Sequence, residues 1–308
     1  MPELPEVETI ARGLALDIQG RVIAEVEVRY SGAVCQSAGP GTTRKTTTPE
    51  KGRAFADLVR GRRVDKVWRR AKLLVFDLGP KNAAAESGAD KVSPADLHLV
   101  FHLKMTGSVW LPPSGAQPDA HTHIVFTLDN GAKVHFRDIR KFGWCLALTD
   151  EELRSMPFFA ALGPEPLEIG EKDFVALFKG RKAGMKALLL DQEVIAGIGN
   201  IYADESLFRS GIHPRTKAAD VPDAKLRSLH KELQAVLRQA IAENGSTFSD
   251  YRTALGDAGA FQNRFLVYGR AGEKCVKCGG KLQSEVVAGR TSVFCPKCQE
   301  NKDILWKE

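Results

Sequence analysis

Hydrophobic positions recur along this chain with three textures. Near the N-terminus Val7, Ile10, Ala11 and Leu14 share one face at helical spacing, and Glu3 and Glu6 stand in the first turn, where the helix dipole favours anions. A helix is expected over residues 3–16. From Arg21 to about Leu148 the period shortens. Partial alternation over 22–28, 73–78, 98–103, 123–128 and 133–136 predicts short strands, and Asp129-Asn130-Gly131 predicts a hairpin between the last two. Many short strands separated by turns suggest a sandwich or barrel-like β domain. Two stretches, Gln36 to Lys51 and Gly79 to Pro94, lack periodicity and read as loops. Beyond Thr149 the texture is helical. Ala187 to Val194 and Tyr202 to Arg209 flank a tight Gly197-Ile198-Gly199-Asn200 turn. Leu226, Leu229, Leu233, Val236, Leu237 and Ile241 then mark an amphipathic helix that stops at Asn244-Gly245. The last forty or so residues return to short β segments around cysteines.

A chain of 308 residues is long enough for two domains, each with its own core. Lys plus Arg exceed Asp plus Glu by 44 to 38, an excess that fits either a solvated basic surface or a polyanionic partner. No run of eighteen apolar residues occurs, so no membrane span is expected. The N-terminus carries acids where a signal peptide would carry bases, which predicts a cytoplasmic protein without a signal peptide. In that compartment six cysteines point to metal binding or free thiols rather than disulfides.

Four of those cysteines are informative. Cys275-Val276-Lys277-Cys278 and Cys295-Pro296-Lys297-Cys298 form two Cys-x-x-Cys pairs separated by sixteen residues, room for a β-hairpin. Together they can give four thiolates to one tetrahedral Zn²⁺, and with every position filled the zinc is structural. A redox dithiol or a disulfide fits one such motif but not two matched ones. Cys35 and Cys145 stand alone and read as packing thiols. The hairpin carries Lys277, Lys281, Arg290 and Lys297, a plausible basic finger for DNA.

The first residues hold a second candidate chemistry. Once Met1 is removed, Pro2 presents a secondary amine, and a chain-terminal amine titrates near about 7.7–8.0, so a fraction is nucleophilic at neutral pH. Attack on a sugar C1′ gives an iminium, whose fixed charge acidifies the C2′ proton and drives β-elimination of the 3′ phosphate. Glu3 could protonate the opening sugar, and Glu6, one turn on, could orient the terminus. A Pro near a helix start with acids in its first turn is also routine helix chemistry, so on these residues alone both readings stand.

Met1-Pro-Glu-Leu-Pro-Glu-Val-Glu8 resembles the N-terminal signature of the bacterial formamidopyrimidine-DNA glycosylases. The similarity continues through Arg69-Arg70-Ala71-Lys72, His102-Leu103-Lys104-Met105-Thr106-Gly107 and Asp138-Ile139-Arg140-Lys141-Phe142-Gly143. It recurs in Leu162-Gly163-Pro164-Glu165-Pro166-Leu167, in Ile198 to Glu205, in Val267-Tyr268-Gly269-Arg270 and in the four-cysteine ribbon. It covers nearly the whole chain apart from the two aperiodic stretches.

The resemblance implies an α+β multidomain protein. Residues 1–150 would form a β-sandwich with an N-terminal helix, 151–262 a helical domain with a helix–two-turns–helix motif, and 263–308 a zinc-finger hairpin, with DNA in the cleft between the halves. It implies a bifunctional DNA glycosylase and abasic-site lyase of base excision repair, acting as a monomer on duplex DNA with oxidised purines or abasic sites. Activity would proceed through a Pro2 iminium and β,δ-elimination, with one structural zinc, no catalytic metal and no organic cofactor. Pro2, Glu3, Lys72 and Arg290 are then the catalytic set, Lys72 being the lysine that reaches the lesion pocket. An enzyme working at C1′ must evert the nucleotide, and Met105, Arg140 and Phe142 match the side chains that fill the void. Asn200, Lys186 and Arg290 match residues that pin phosphates, while His102, Lys141, Tyr268 and Arg270 complete the DNA contacts. Lys141 stands where many members carry Arg, so a point charge replaces a fork. The segment from Gly256 to Phe261 falls in the loop expected over the everted base. Two rivals follow from the same residues. An endonuclease VIII-type enzyme for oxidised pyrimidines would carry Gly where Leu4 stands. A non-catalytic zinc protein that binds damaged DNA would have lost Pro2 or Glu3.

Overall fold

A computed structural model describes residues 2–37, 43–45, 48–81, 97–246, 253–254, 256 and 258–300. The chain divides into two compact units, residues 1–161 with 244–259, and 162–243 with 260–308.

The first unit opens with helix α1 (Leu4–Ile18), close to the expected span. Pro5 sits in its first turn and the apolar face of Val7, Ile10, Ala11, Leu14 and Ile18 is buried. Its strands are β1 (Ile23–Val28), β2 (Cys35–Ser37), β3 (Thr43–Lys45), β4 (Arg62–Arg70), β5 (Leu73–Lys81), β6 (Leu97–His102), β7 (Gly107–Trp110), β8 (Thr122–Leu128), β9 (Lys133–Asp138) and β10 (Trp144–Leu148). One antiparallel sheet has the order β1-β8-β9-β7 and a second β10-β6-β5-β4. Val109, Ile124, Phe126 and Phe136 of the first sheet share one core with Leu74, Phe76, Leu99 and Phe101 of the second and with the apolar face of α1. Phe101 lies edge-on to Phe126 and Phe136, with ring centres 6.1 and 5.6 Å away. This is the β-sandwich with an N-terminal helix.

The second sheet is covered on its other face too. Leu73, Val75, Val100, Trp144 and Leu146 pack there with Leu153 of a short helix (Asp150–Ser155) and with Met156. Burial on both faces explains why β5 and β6 read as apolar runs rather than strict alternation. The expected hairpin joins β8 to β9: Gly131 takes φ +82°, and the Leu128 N–H donates to the Ala132 carbonyl at 2.8 Å. Residues 36–51 are more than a loop. They contain the β2–β3 pair and the start of a helix (Pro49–Val59), with Pro49 and Glu50 in its first turn and Phe55 and Val59 buried. Of the second aperiodic stretch, Gly79 to Lys81 extend β5, and 82–94 lie outside the described residues. Strand β4 escaped the periodicity because register shifts at Val64 break its two-residue alternation and charged residues fill it.

The second unit contains α5 (Glu171–Phe178), α6 (Met185–Leu190), α7 (Asn200–Ser210), α8 (Asp223–Ala242) and a hairpin of β11 (Gln283–Val287) and β12 (Arg290–Phe294), α3 and α4 being Asp150–Ser155 and Pro157–Ala160 of the first unit. Two turns link α6 to α7 and are held by one side chain. Gln192 Oε1 accepts the Gly197 N–H at 2.9 Å, and its Nε2 donates to the Leu190 and Ile198 carbonyls, both at 2.9 Å. Gly197 takes φ +80° there, a turn only glycine enters at no steric cost. Helix α8 buries Leu226, Leu229, Leu233, Val236 and Leu237, and Asn244 and Gly245 beyond it take positive φ, as the sequence predicts. Among the described residues no helix is long and apolar enough to cross a membrane.

Candidate active site and nucleic-acid interface

In the first unit the N-terminal candidates are buried at the head of α1. Pro2 precedes the helix and Glu3 is its N-cap. Glu6 is buried as well. Its Oε2 accepts the Glu3 N–H at 2.9 Å, and its Oε1 accepts the Ser246 N–H and hydroxyl at 2.8 and 2.9 Å. One carboxylate thus ties the backbone beside Pro2 to a residue 240 positions along the chain.

Three loops carry the remaining candidates of this unit. Arg70 pairs with Leu73 across a tight turn of Ala71 and the buried Lys72. Leu73 also pairs with His102. His102 is buried, and burial together with the charges of Lys104 and Lys72 holds its imidazole down at about 3. It is therefore neutral at physiological pH. Its Nδ1 accepts the Lys104 N–H at 3.0 Å, which assigns the ring proton to Nε2.

The loops after β6 and β9 are bound together by Asp138. Its Oδ1 accepts the Thr106 hydroxyl at 2.5 Å and the Arg140 N–H at 3.2 Å, and its Oδ2 accepts the Gly143 N–H at 2.6 Å. Gly107 closes the first loop where a Cβ would collide with the Leu103 carbonyl. So fixed, the loops present apolar side chains to solvent: Met105 is 37% exposed and Phe142 48%, with the Arg140 guanidinium 4.7 Å from the Phe142 ring centre. Lys141 lies 4.7 Å from the Tyr30 ring centre. Ala71, Lys104 and Lys141 have φ of +53°, +51° and +57°, a region non-glycine residues rarely enter. Ala71 and Lys104 neighbour candidate contacts and Lys141 is itself one, while Asn244, also of this unit, takes its positive φ just after α8.

In the second unit the four cysteine sulfurs all lie within 4.8 Å of one another, with Cys275 to Cys298 at 3.9 Å and Cys278 to Cys295 at 3.4 Å. A tetrahedron with Zn–S bonds of about 2.3 Å has edges of about 3.8 Å, so the donor set fits one Zn²⁺. Burial and then its sulfur neighbours push the Cys298 thiol up, so it gives a thiolate only with a cation beside it. The ribbon is joined to its own unit by side chains invisible to spacing. Glu205 accepts the N–H groups of Leu266, Val267 and Tyr268 at 2.9–3.1 Å. Gln299 accepts the Cys295 N–H and donates to the Ile212 carbonyl, both at 2.9 Å.

The expected DNA contacts of this unit fall into two groups. Arg290 is exposed at the start of β12, after the Ala288-Gly289 turn. Asn200 is the first residue of α7 and half-buried. Tyr268 is half-buried against Phe265, and Arg270 turns back to the Phe265 and Leu266 carbonyls at 3.1 and 3.2 Å and to Glu273 at 2.8 Å. Lys186 lies apart from the solvent-facing set, fully buried and 2.6 Å from Asp204. Lys277, read as part of a basic finger, instead caps α7, donating to the Phe208 and Arg209 carbonyls at 3.3 and 3.0 Å. Phe261, read as part of a loop over the lesion, is a core residue stacked near Tyr202 at 5.8 Å.

Known proteins are similar to this chain over nearly all of its length. The chain is 40% identical to the formamidopyrimidine-DNA glycosylase of Nitratidesulfovibrio vulgaris, over 97% of this chain and all of the relative. With that of Desulfitobacterium hafniense (strain DCB-2) identity is 42% over the same shares. The chain belongs to the formamidopyrimidine-DNA glycosylase family. Models of the family's N-terminal domain, its H2TH domain and a zinc finger found in FPG and IleRS match residues 1–145, 162–252 and 272–301. Among solved structures, a Lactococcus lactis FPG mutant with Fapy-dG-containing DNA superposes with a TM-score of 0.81 at 31% identity. The L. lactis Fpg with abasic-site DNA gives 0.81 at 30%, and both matches cover 97% of this chain and all of the other. The four clustered cysteines are accordingly the ligands of the family's structural zinc.

Proposed function

We propose that this family member is a bifunctional DNA glycosylase and abasic-site lyase whose nucleophile is the Pro2 nitrogen. It would act in the cytoplasm on duplex DNA carrying oxidised purines or abasic sites. The observation that carries the reading is the head of α1, where Pro2 and Glu3 are buried together and the Glu3 backbone is held by Glu6. The chemistry requires removal of Met1. The Pro2 lone pair then attacks C1′ of an everted nucleotide, and the C1′–base bond breaks with its electrons leaving on the base, which takes up a proton. Glu3 protonates the ring oxygen as the sugar opens, leaving an iminium. Loss of the C2′ proton sends electrons through C2′–C3′ and expels the 3′ phosphate. A second elimination expels the 5′ phosphate.

The same reading gives further residues their roles. Lys72 lies beside neutral His102, whose Nε2–H is a donor for a phosphate or sugar oxygen. Met105, Phe142 and Arg140 fill the vacated stack, the first two by apolar bulk and Arg140 by pairing with the widowed base. Lys141, Asn200, Tyr268 and Arg270 line the backbone path, and Arg290 grips a lesion phosphate. The working division is residues 1–150, 151–262 and 263–308.

A duplex with 8-oxoguanine opposite cytosine, incubated with the protein and sodium borohydride, tests this. A covalent adduct mapped to Pro2 is expected. An adduct with an oxidised pyrimidine but not with 8-oxoguanine would move the protein to the rival specificity. That arm is pertinent because the L. lactis Fpg has also been solved with DNA containing an oxidised pyrimidine. No adduct on either, with Met1 confirmed absent, would leave a binding protein.

A further inference from the structure

Lys186 and Asp204 form an ion pair in which both side chains are fully buried, with Nζ and Oδ1 2.6 Å apart. Burying two charges costs more desolvation than their attraction returns unless further hydrogen bonds complete them, and well-packed apolar residues often serve stability as well. Here a further bond from each partner reaches strand β12. Lys186 Nζ donates to the Thr291 carbonyl at 3.4 Å, and Asn200 Nδ2 donates to that same carbonyl at 2.9 Å. Asp204 Oδ2 accepts the Val293 N–H at 3.1 Å. The other edge of β12 is occupied by β11, whose Val287 pairs with Arg290. The strand is therefore held from both sides, at Thr291 next to Arg290 and again at Val293.

We infer that Lys186 and Asp204 are positioning residues for Arg290, acting through the Thr291 carbonyl and the Val293 N–H to fix where its guanidinium is presented. The inference rests on the reading above that Arg290 grips a lesion phosphate. A guanidinium so held stabilises charge on a phosphate as it departs, provided its backbone does not drift. A shift of about 1 Å at such a group is enough to cost on the order of a hundredfold. Charge-assisted bonds are stronger and shorter than neutral ones, which suits a tether.

The test uses the full-length, zinc-loaded protein and an abasic-site duplex. Two rates are compared, formation of the borohydride-trapped adduct and strand scission, with zinc content and melting temperature followed alongside. Arg290→Ala is expected to lower scission per adduct fivefold or more. Lys186→Met should lower the same ratio by a similar factor, and the double variant should fall little further, because the two act in series. Lys186→Met leaves Asp204 buried without its cation, so Lys186→Met with Asp204→Leu removes both charges and keeps the test available if the single variant does not fold. An unchanged ratio in the apolar pair, with the Arg290→Ala loss present and zinc retained, overturns the positioning role. An unchanged ratio in Arg290→Ala overturns the underlying assignment of Arg290 instead.

Discussion

Ser246 and Glu6 are joined twice, by the Ser246 backbone N–H and by its hydroxyl, both to one oxygen of the Glu6 carboxylate. The other oxygen holds the Glu3 N–H. Glu6→Gln keeps the size but turns an NH₂ group toward a donor, so one buried N–H or O–H loses its acceptor. Such an orphan costs about 1–3 kcal/mol. The expected consequence is a drop of tenfold or more in borohydride trapping at Pro2, with affinity for abasic-site DNA little changed. Equal losses in trapping and binding would mean Glu6 supports the unit as a whole rather than the alignment of its first residues.

His102 makes stability depend on pH. Its imidazole is held at about 3 in the folded protein, below an ordinary value of about 6.5. As pH falls below about 6.5 the unfolded chain takes up a proton that the folded one refuses. The contribution of His102 is therefore fully present above about 6.5 and is lost progressively down to about 3, on the order of 5 kcal/mol in all. Melting temperature measured from pH 7 to pH 4 should fall less steeply in His102→Gln than in the parent. Parallel curves would show that the ring is not kept neutral by burial and its two lysine neighbours.

What the sequence disclosed and what it hid divide by range. The zinc ligands, α1, α8 and the Asn130-Gly131 turn rest on spacing within a few residues, and all appear in the structure. The restraints that organise the site come from far away. Ser246 meets Glu6, Glu205 meets the backbone 61 to 63 residues on, and neither acid differs in sequence from an ordinary helical carboxylate. Lys186 shows what a motif match leaves out: its position in the chain suggested a phosphate but gave no sign of the buried ion pair it makes with Asp204. Strand β4 was hidden for a local reason, since its register shifts at Val64 interrupt the alternation by which strands are recognised.

The zinc ribbon yields a prediction about reach. Its sulfurs are placed for one ion, and the segment between the cysteine pairs carries Arg290. Cys278→Ser should lose zinc and weaken DNA affinity while the Pro2 site stays chemically intact. Acidification should release the metal, because protons compete for the thiolates. Metal content by atomic absorption and binding by fluorescence anisotropy report the two effects. Normal DNA affinity in a zinc-free variant would sink the claim that the ribbon orders a DNA contact.

The positive-φ residues invite a different experiment. Lys141 is exposed with φ +57°, between Arg140 and Phe142, and its ammonium lies over the Tyr30 ring. A side chain in this region costs about 1–2 kcal/mol, and Asn tolerates it better than Lys because its short polar chain bonds locally. Lys141→Asn should therefore leave stability equal or raise it by about 0.5–1 kcal/mol, the lost cation–π contact offsetting part of the gain. DNA binding should weaken, and its dependence on salt should become shallower by close to one released counterion if Lys141 meets a phosphate. Denaturant melts and a salt titration of binding separate the two effects. A variant that is less stable but binds with an unchanged salt slope would assign Lys141 to packing against Tyr30 and remove it from the DNA path.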